Sequence, residues 1–289
     1  MRSPAQKADK LLILSPHAGT MTEDIEAKLR TAFEDHLTID FDPRQDFEKL
    51  ITPDARVIVA GGDGTIEAIV RRLADSDHPL GILPMGSFNN LAHALGLTGD
   101  LDQAIEAARI GLPRAITLGR VNGHVFVEAC AVGVFGDAIV LGESAKDLAF
   151  GAVVAKLGDV LQASRFHYSL TGDLRGEGEA MSLVFSNTAS IGIQLPVSSA
   201  TPVDPYLEFS ADAGRTRTDI VARFVASTLL DKHAEEEMGR VLRFRKLRVK
   251  TRPRVRVYAD NQLVARTPAT IAAEVSALKV LLPVSGNHK

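Results

Sequence analysis

Short apolar runs that recur between helical patterns constrain this chain more than any other feature. Leu11–Leu14, Leu37–Phe41, Arg56–Ala60 and Leu80–Leu83 are too short for helices and are separated by segments with a helical repeat. In Met21–Glu34, the residues Ile25, Leu29 and Phe33 return every fourth position, which makes one apolar stripe on a helix. The same reasoning predicts helices from about Thr65 to Leu73 and from Leu101 to Ile110. Apolar strands alternating with helices form a parallel sheet covered on both faces. The first part of the chain is therefore expected to be α/β.

After Pro113 the rhythm changes. Ala115–Val121 and His124–Val134 read as two strands joined by a tight Asn122-Gly123 turn. Helices are expected over roughly Asp137–Leu161 and Thr218–Leu230. Around them lie strand-like runs at Phe166–Leu170, Ala180–Asn187 and Leu207–Ala211, and a strand-rich end from Val241 to Leu282. The expected architecture is α/β plus mainly-β. An N-terminal α/β nucleotide-binding domain (1–112) precedes a C-terminal antiparallel β-sandwich domain (113–289), with the active site in the cleft between them. The last few residues are free to return to the first domain.

Composition narrows the function classes. Among 289 residues, 45% are hydrophobic and 24% charged, with 33 Lys+Arg against 36 Asp+Glu, a formal net charge of −3. This is the balance of a globular chain, not a disordered one. Cys130 is the single cysteine and lies in an apolar run, so it reads as a core residue, and no disulfide framework or Cys-rich zinc site is expected. The eight histidines are scattered, with no His-Glu-x-x-His pair, and His17 is an ordinary loop residue that could touch a phosphate. The first ten residues lack the apolar core of a signal peptide, and no apolar run approaches the ~20 residues of a spanning helix. A cytoplasmic location is expected, with peripheral contact at the inner face of the membrane if the protein works there.

Two segments carry chemistry. In Val57–Thr65 (VIVAGGDGT) a buried strand runs into Gly61-Gly62-Asp63-Gly64 and a helix begins at once. Glycines there allow a sharp turn and a close ligand approach, and the free N–H groups of a helix start favour a phosphate. The alternative is a tight strand-to-helix turn with Asp63 as a helix cap. Pro79–Leu97 (PLGILPMGSFNNLAHALGL) repeats the device, with Gly86, Ser87, Phe88, Asn89 and Asn90 opening a helix. Ser87 and Asn89 suit either caps or phosphate contacts. No GxxxxGK[ST] pattern is present, so this is not a P-loop.

The pair GGDGT (61–65) and PLGILPMGSFNNLAHALG (79–96) resembles the catalytic domain of diacylglycerol kinases and their bacterial lipid-kinase relatives. That superfamily also includes sphingosine kinases and, more distantly, NAD kinases. SPHAG (15–19) stands at the family's Asn-Pro-x-Ser-Gly, and Tyr258–Gln262 (YADNQ) at its Asp-Gly-Glu. The resemblance implies ATP bound through Ser15, Gly19, Gly61, Gly62, Asp63, Gly64, Thr65, Gly86, Ser87, Asn89 and Asn90, with Asp63 in a magnesium–water network. It also implies a structural Mg²⁺ near ATPVDPYLEF (200–209), held by the Asp204 side chain and the carbonyls of Thr201 and Tyr206. Asp204 could equally be a turn residue before Pro205. The expected activity is transfer of the ATP γ-phosphoryl group to a lipid hydroxyl, with Asp63, Asp260 and Gln262 as catalytic positions.

The departures from the family pattern matter. The usual Asn-Glu after GGDGT-x is Glu67-Ala68, the second loop carries Asn90 where the family has Asp, and Asp-Gly-Glu becomes Asp260-Asn261-Gln262. The family's Glu is its base for the lipid hydroxyl, and Gln262 has no comparable proton affinity. Asp260 or another carboxylate could substitute. A catalytically weakened or inactive nucleotide- and lipid-binding regulator, and a kinase of a soluble small-molecule alcohol, therefore stay open.

Independently of any family, Arg240–Arg256 (RVLRFRKLRVKTRPRVR) holds nine basic residues and no acid. Alternation within it predicts strands with one basic face. Such a face either guards an exposed strand edge or meets an anionic membrane surface. Nucleic acid is not expected as a partner, because the chain is slightly acidic overall and has no Trp. The oligomeric state, a homodimer included, is left open.

Overall fold

The structure is a computed structural model and describes residues 7–97, 100–136, 165–191, 195–211 and 241–283. In chain order its first elements are β1 (Ala8–Leu14), α1 (Glu23–Ala32), β2 (Leu37–Asp40), β3 (Ile51–Gly61), α2 (Asp63–Leu73), β4 (Pro79–Pro84), α3 (Asn90–Ala94) and α4 (Leu101–Ile110). Next come β5 (Leu112–Val121), β6 (His124–Phe126), β7 (Ala129–Gly133), β8 (Phe166–Gly172), β9 (Gly176–Ala180), β10 (Ser182–Ser186), β11 (Ser190–Ile191) and β12 (Leu195–Pro196). The last are β13 (Leu207–Ala211), β14 (Leu242–Phe244), β15 (Lys246–Arg252), β16 (Arg256–Ala259), β17 (Gln262–Arg266) and β18 (Ala269–Leu282). The helices expected over 137–161 and 218–230 lie outside the described residues.

Two compact units divide the chain: residues up to Ile116 together with those from Ser276 onward, and Thr117–Val275. The chain passes between them within β5 and within β18.

In the first unit, β2, β1, β3, β4 and the end of β18 pair in that order, all parallel. Leu11–Leu14 and Val57–Ala60 are at most 1% exposed, which is why these runs show no polar alternation. Helix α1 starts where the Thr22 hydroxyl accepts the Ile25 N–H at 3.2 Å, and α4 where Asp100 accepts the Gln103 N–H at 2.9 Å. The α1 stripe meets the sheet as expected: Leu29 and Phe33 pack with Leu12, Leu14, Ile58, Ala60 and Leu83. Helix α2 begins at Asp63, two residues earlier than the apolar pattern predicts, because Gly62 already carries the N-cap conformation.

The second unit consists of antiparallel sheets. One pairs β9, β8, β15 and the first half of β18; the other runs β14-β13-β10-β7-β16-β17. Their inner faces share one core, in which Leu170, Leu247, Val249 and Ile271 from the first sheet meet Val132, Phe185, Phe209 and Val257 from the second. Phe185 stacks on Phe209 at 5.2 Å and takes the edge of Phe244 at 5.9 Å.

Two expectations are corrected here. His124–Val134 is two strands, not one, because the Asp260 carboxylate takes the backbone N–H groups of Val127, Glu128 and Ala129 out of the ladder. Ala180–Asn187 also divides: Ala180 closes β9 against Phe166, while Ser182–Ser186 forms β10.

Candidate functional site

In the first unit the chain moves from β1 outward to β2, then returns past β1 to β3 and β4. In open α/β sheets such a reversal, here between β1 and β3, marks the place beyond the carboxyl ends of the strands where ligands bind. Three loops leave those ends: Ser15–Thr20 after β1, the Gly61–Gly62 turn after β3, and Met85–Asn89 after β4. Hydrogen bonds fasten them together. The Ser15 N–H donates to the Ala60 carbonyl at 2.9 Å and the Met85 N–H to the Gly61 carbonyl at 2.8 Å. Thr20 donates both its N–H and its hydroxyl to the Met85 carbonyl at 3.1 Å. The Thr65 hydroxyl reaches Ser15 Oγ at 3.4 Å.

Asp63 is the joint between the two glycine loops. Its Oδ2 accepts the Asn89 N–H at 3.0 Å and its Oδ1 the Asn90 N–H at 2.9 Å. The carboxylate thus caps a helix, but α3 rather than its own. Asn89 adopts the left-handed conformation at φ 51°, which asparagine tolerates better than most residues. Its amide closes on Gly86, accepting the Gly86 N–H at 2.8 Å and donating to the Gly86 carbonyl at 2.9 Å. Ser87 is left exposed at the tip, while the Asn90 side chain is buried at 1% exposure. A carboxylate at position 90 would have to be buried next to Asp63, so the amide is the less costly residue there.

Two glycines define the available space. A Cβ on Gly86 would sit 2.9 Å from Gly62 Cα and 3.0 Å from Asp63 Oδ2, so only glycine allows the loops to come this close. Gly64 is the opposite case: it lies in the first turn of α2, is exposed, and a Cβ there would meet nothing within 4 Å. Glycine in a helix costs about 0.5–1 kcal/mol relative to alanine, and no protein contact requires it at this position. In the first turn of α2 the Thr65 N–H donates to the Gly62 carbonyl at 3.0 Å, while the N–H groups of Asp63 and Gly64 precede the first intrahelical acceptor, the arrangement that favours an anion.

The remaining expected positions lie in the second unit. Asp260, at φ 50° and 6% exposure, is committed to the β6–β7 break. Its Oδ1 accepts the N–H groups of Val127, Glu128 and Ala129 at 3.1, 2.8 and 3.2 Å, and its Oδ2 that of Val127 at 3.0 Å. Gln262 is exposed at the start of β17. Asp204 builds a turn: its N–H donates to the Thr201 carbonyl at 2.9 Å, and its Oδ2 accepts the Thr201 N–H at 3.2 Å. Desolvation and the neighbouring Asp204 carboxylate raise the Tyr206 pKa, and the Tyr206 ring lies 4.5 Å from the Arg243 guanidinium.

Sequence reasoning missed Glu208 and Asn187. Glu208 is 2% exposed and accepts the Ser199 N–H at 2.8 Å and its hydroxyl at 3.0 Å. Alternation in Leu207–Ala211 reads it as solvent-facing, so no sequence signal marks it. Asn187 is fully buried and donates to the carbonyls of Thr117 and Val127 at 3.0 and 2.9 Å. Cys130 is buried in the core, where desolvation pushes its thiol far above the usual range, in keeping with an inert residue.

Fold and loops together define a class: a parallel α/β unit with fastened glycine loops at its switch point, joined in the chain to an antiparallel β-sandwich. Residues 10–121 match the diacylglycerol kinase catalytic domain family, so the resemblance read from the two glycine loops holds. A Mycobacterium tuberculosis diacylglycerol kinase is 28% identical over 242 residues, covering 80% of this chain and 77% of its own length. The crystal structure of a Bacillus anthracis diacylglycerol kinase shares the fold, with a TM-score of 0.71 at 20% identity over 94% of this chain and 96% of that one. An NAD kinase from Archaeoglobus fulgidus, solved in complex with ATP, has a TM-score of 0.53 at 13% identity over 94% of this chain and 92% of that one. The chain's relatives are thus named as lipid kinases, and its fold is theirs.

Proposed function

We propose that this protein is an ATP-dependent lipid kinase that transfers the γ-phosphoryl group of ATP to a lipid hydroxyl. The observation that carries the reading is the open approach over Gly64, at the point where three fastened loops meet at the strand ends. In this reading the loop Gly61–Thr65, with Ser15, Gly19, Gly86 and Ser87, surrounds the phosphates. Asp63 keeps the second loop in place, and Asn89 holds its shape. Phosphoryl transfer depends mainly on such positioning and on charge stabilisation.

Mg²⁺ suits the oxygen-only donors available: Asp204 with the carbonyls of Thr201 and Tyr206 would hold a structural ion. A metal on the phosphates would supply charge neutralisation. Gln262, at the position of the family's base, has no carboxylate, and Asp260 is spent on backbone N–H groups. The chemical step is therefore expected to be slower by about 10²–10⁴-fold than with a carboxylate at 262. The same observation favours a second reading, a nucleotide- and lipid-binding regulator without turnover.

ATP consumption with Mg²⁺, measured against a panel of lipid and soluble alcohols, tests the proposal. Turnover with a lipid acceptor, raised in Gln262→Glu, supports it. Turnover with soluble alcohols alone rejects the lipid assignment. ATP binding without turnover in either protein moves the assignment to the regulator.

A further inference from the structure

Of the basic strands, β14 lies at the edge of its sheet, whereas β15 and β16 have neighbours on two sides. β15 pairs with β8 over Leu247–Arg252 and with β18 over Lys246–Val249, and β16 lies between β7 and β17. Arg248, paired on both sides, therefore has no edge to guard. Along β15 the side chains alternate strictly: Leu247, Val249 and Thr251 are buried, while Lys246, Arg248, Lys250 and Arg252 are exposed. Four cations thus stand in one row about 7 Å apart. Among the described residues none of them has an acidic partner.

Three of the four have short neighbours, while Arg252 stands beside His167. Arg248 lies between Thr171 and Thr270, Lys250 beside Ser169, and Lys246 beside Ala272. Long cationic side chains rising above hydroxyl and methyl groups make a raised ridge, not a groove. The acids of these strands lie off the row, and Glu274 on β18 pairs with Arg120 at 3.2 Å. Asp173 accepts the backbone N–H groups of Arg245 and Lys246 at 2.8 and 2.9 Å, and Glu177 and Glu179 lie two strands away on β9, with Glu177 3.8 Å from His167. No Phe, Tyr or Trp shares the ridge at the paired positions, so the stacking platform of a single-strand nucleic-acid site is missing.

We infer that the exposed face of β15 docks on an anionic lipid bilayer, with Lys246, Arg248, Lys250 and Arg252 meeting the headgroups. A row of like charges on one exposed strand face suits a plane of fixed negative charge. This deepens the lipid-kinase reading and rests on it for the choice of a bilayer among polyanions.

The test uses the full chain and needs no turnover. Flotation is measured with vesicles of phosphatidylcholine alone and of phosphatidylcholine with phosphatidylglycerol. Binding is expected to the anionic vesicles only, and to fall in high salt. Arg248→Gln/Lys250→Gln should weaken it roughly 25-fold, about 5-fold per cation. Arg248→Lys/Lys250→Arg should keep it, and Glu177→Gln/Glu179→Gln should strengthen it. Unchanged melting temperatures show that the variants fold. Equal binding to neutral vesicles, full binding by the Gln pair, or binding to an RNA oligonucleotide in place of vesicles would each overturn the inference. If the protein floats with anionic vesicles but turns over no lipid, the docking face stands and the kinase reading falls.

Discussion

Replacing Gly64 with alanine separates what the fold needs from what a ligand needs. The added methyl meets nothing within 4 Å, so the folded chain accepts it without strain. Position 64 is in the first turn of α2, where losing glycine should stabilise the protein by about 0.5–1 kcal/mol. The melting temperature should then rise by about 1–4 °C for a chain of this size. If a triphosphate lies over this turn, the same methyl occupies its closest approach. Overpacking by one methyl costs about 1–3 kcal/mol, which corresponds to roughly 5- to 150-fold weaker nucleotide binding. The assay pairs thermal unfolding with calorimetric titration of ATP and Mg²⁺. A variant that is more stable and binds ATP as tightly as the parent would refute the phosphate assignment for these loops. Gly81→Ala is the control for ordinary packing. Its Cβ would lie 2.9 Å from that of Ala108, so it should lower stability and leave the loops chemically unchanged.

Other outcomes follow from single residues. Asp260→Ala leaves three backbone N–H groups at the β6–β7 break without their acceptor and should cost about 3–5 kcal/mol in urea unfolding; a loss under about 1 kcal/mol would mean that the carboxylate is not the anchor. Asp63→Ala should loosen Met85–Asn90 and abolish ATP binding while the melting temperature falls only slightly, and wild-type affinity in this variant would remove the joint role. His36 packs edge-on against Phe33 at 5.1 Å, its Nε2 is buried without a hydrogen-bond partner, and burial lowers its pKa despite the adjacent Asp35. The unfolded chain therefore binds the His36 proton more readily. Stability should be full above the ordinary histidine pKa of about 6.5 and decline as pH falls from there to the depressed value. His36→Phe should flatten that part of the pH profile, and an unchanged slope would place its origin elsewhere.

The order of apolar runs and helical stripes was enough to establish a parallel α/β unit followed by antiparallel strands, because local periodicity reports burial directly. The glycine segments 61–65 and 86–90 were equally legible, since few residues tolerate a strand-to-helix turn with a close approach. Whether those segments meet depends on the strand order β2-β1-β3-β4, and strand order leaves no local signature in a sequence. Asp63 illustrates the limit. The residue looked like a cap or a metal-network acid, and only the fold showed that its partner is the start of another helix.

Long-range hydrogen bonding decided the rest. The break in His124–Val134 is made by Asp260, more than 130 residues away, and the burial of Glu208 contradicts its own strand alternation. The basic run between Arg240 and Arg256 was plain from composition alone. That β14 ends at a sheet edge while β15 lies between β8 and β18, its cations facing outward, is a fact of pairing, and pairing is settled by where the whole chain finds its hydrogen-bond partners.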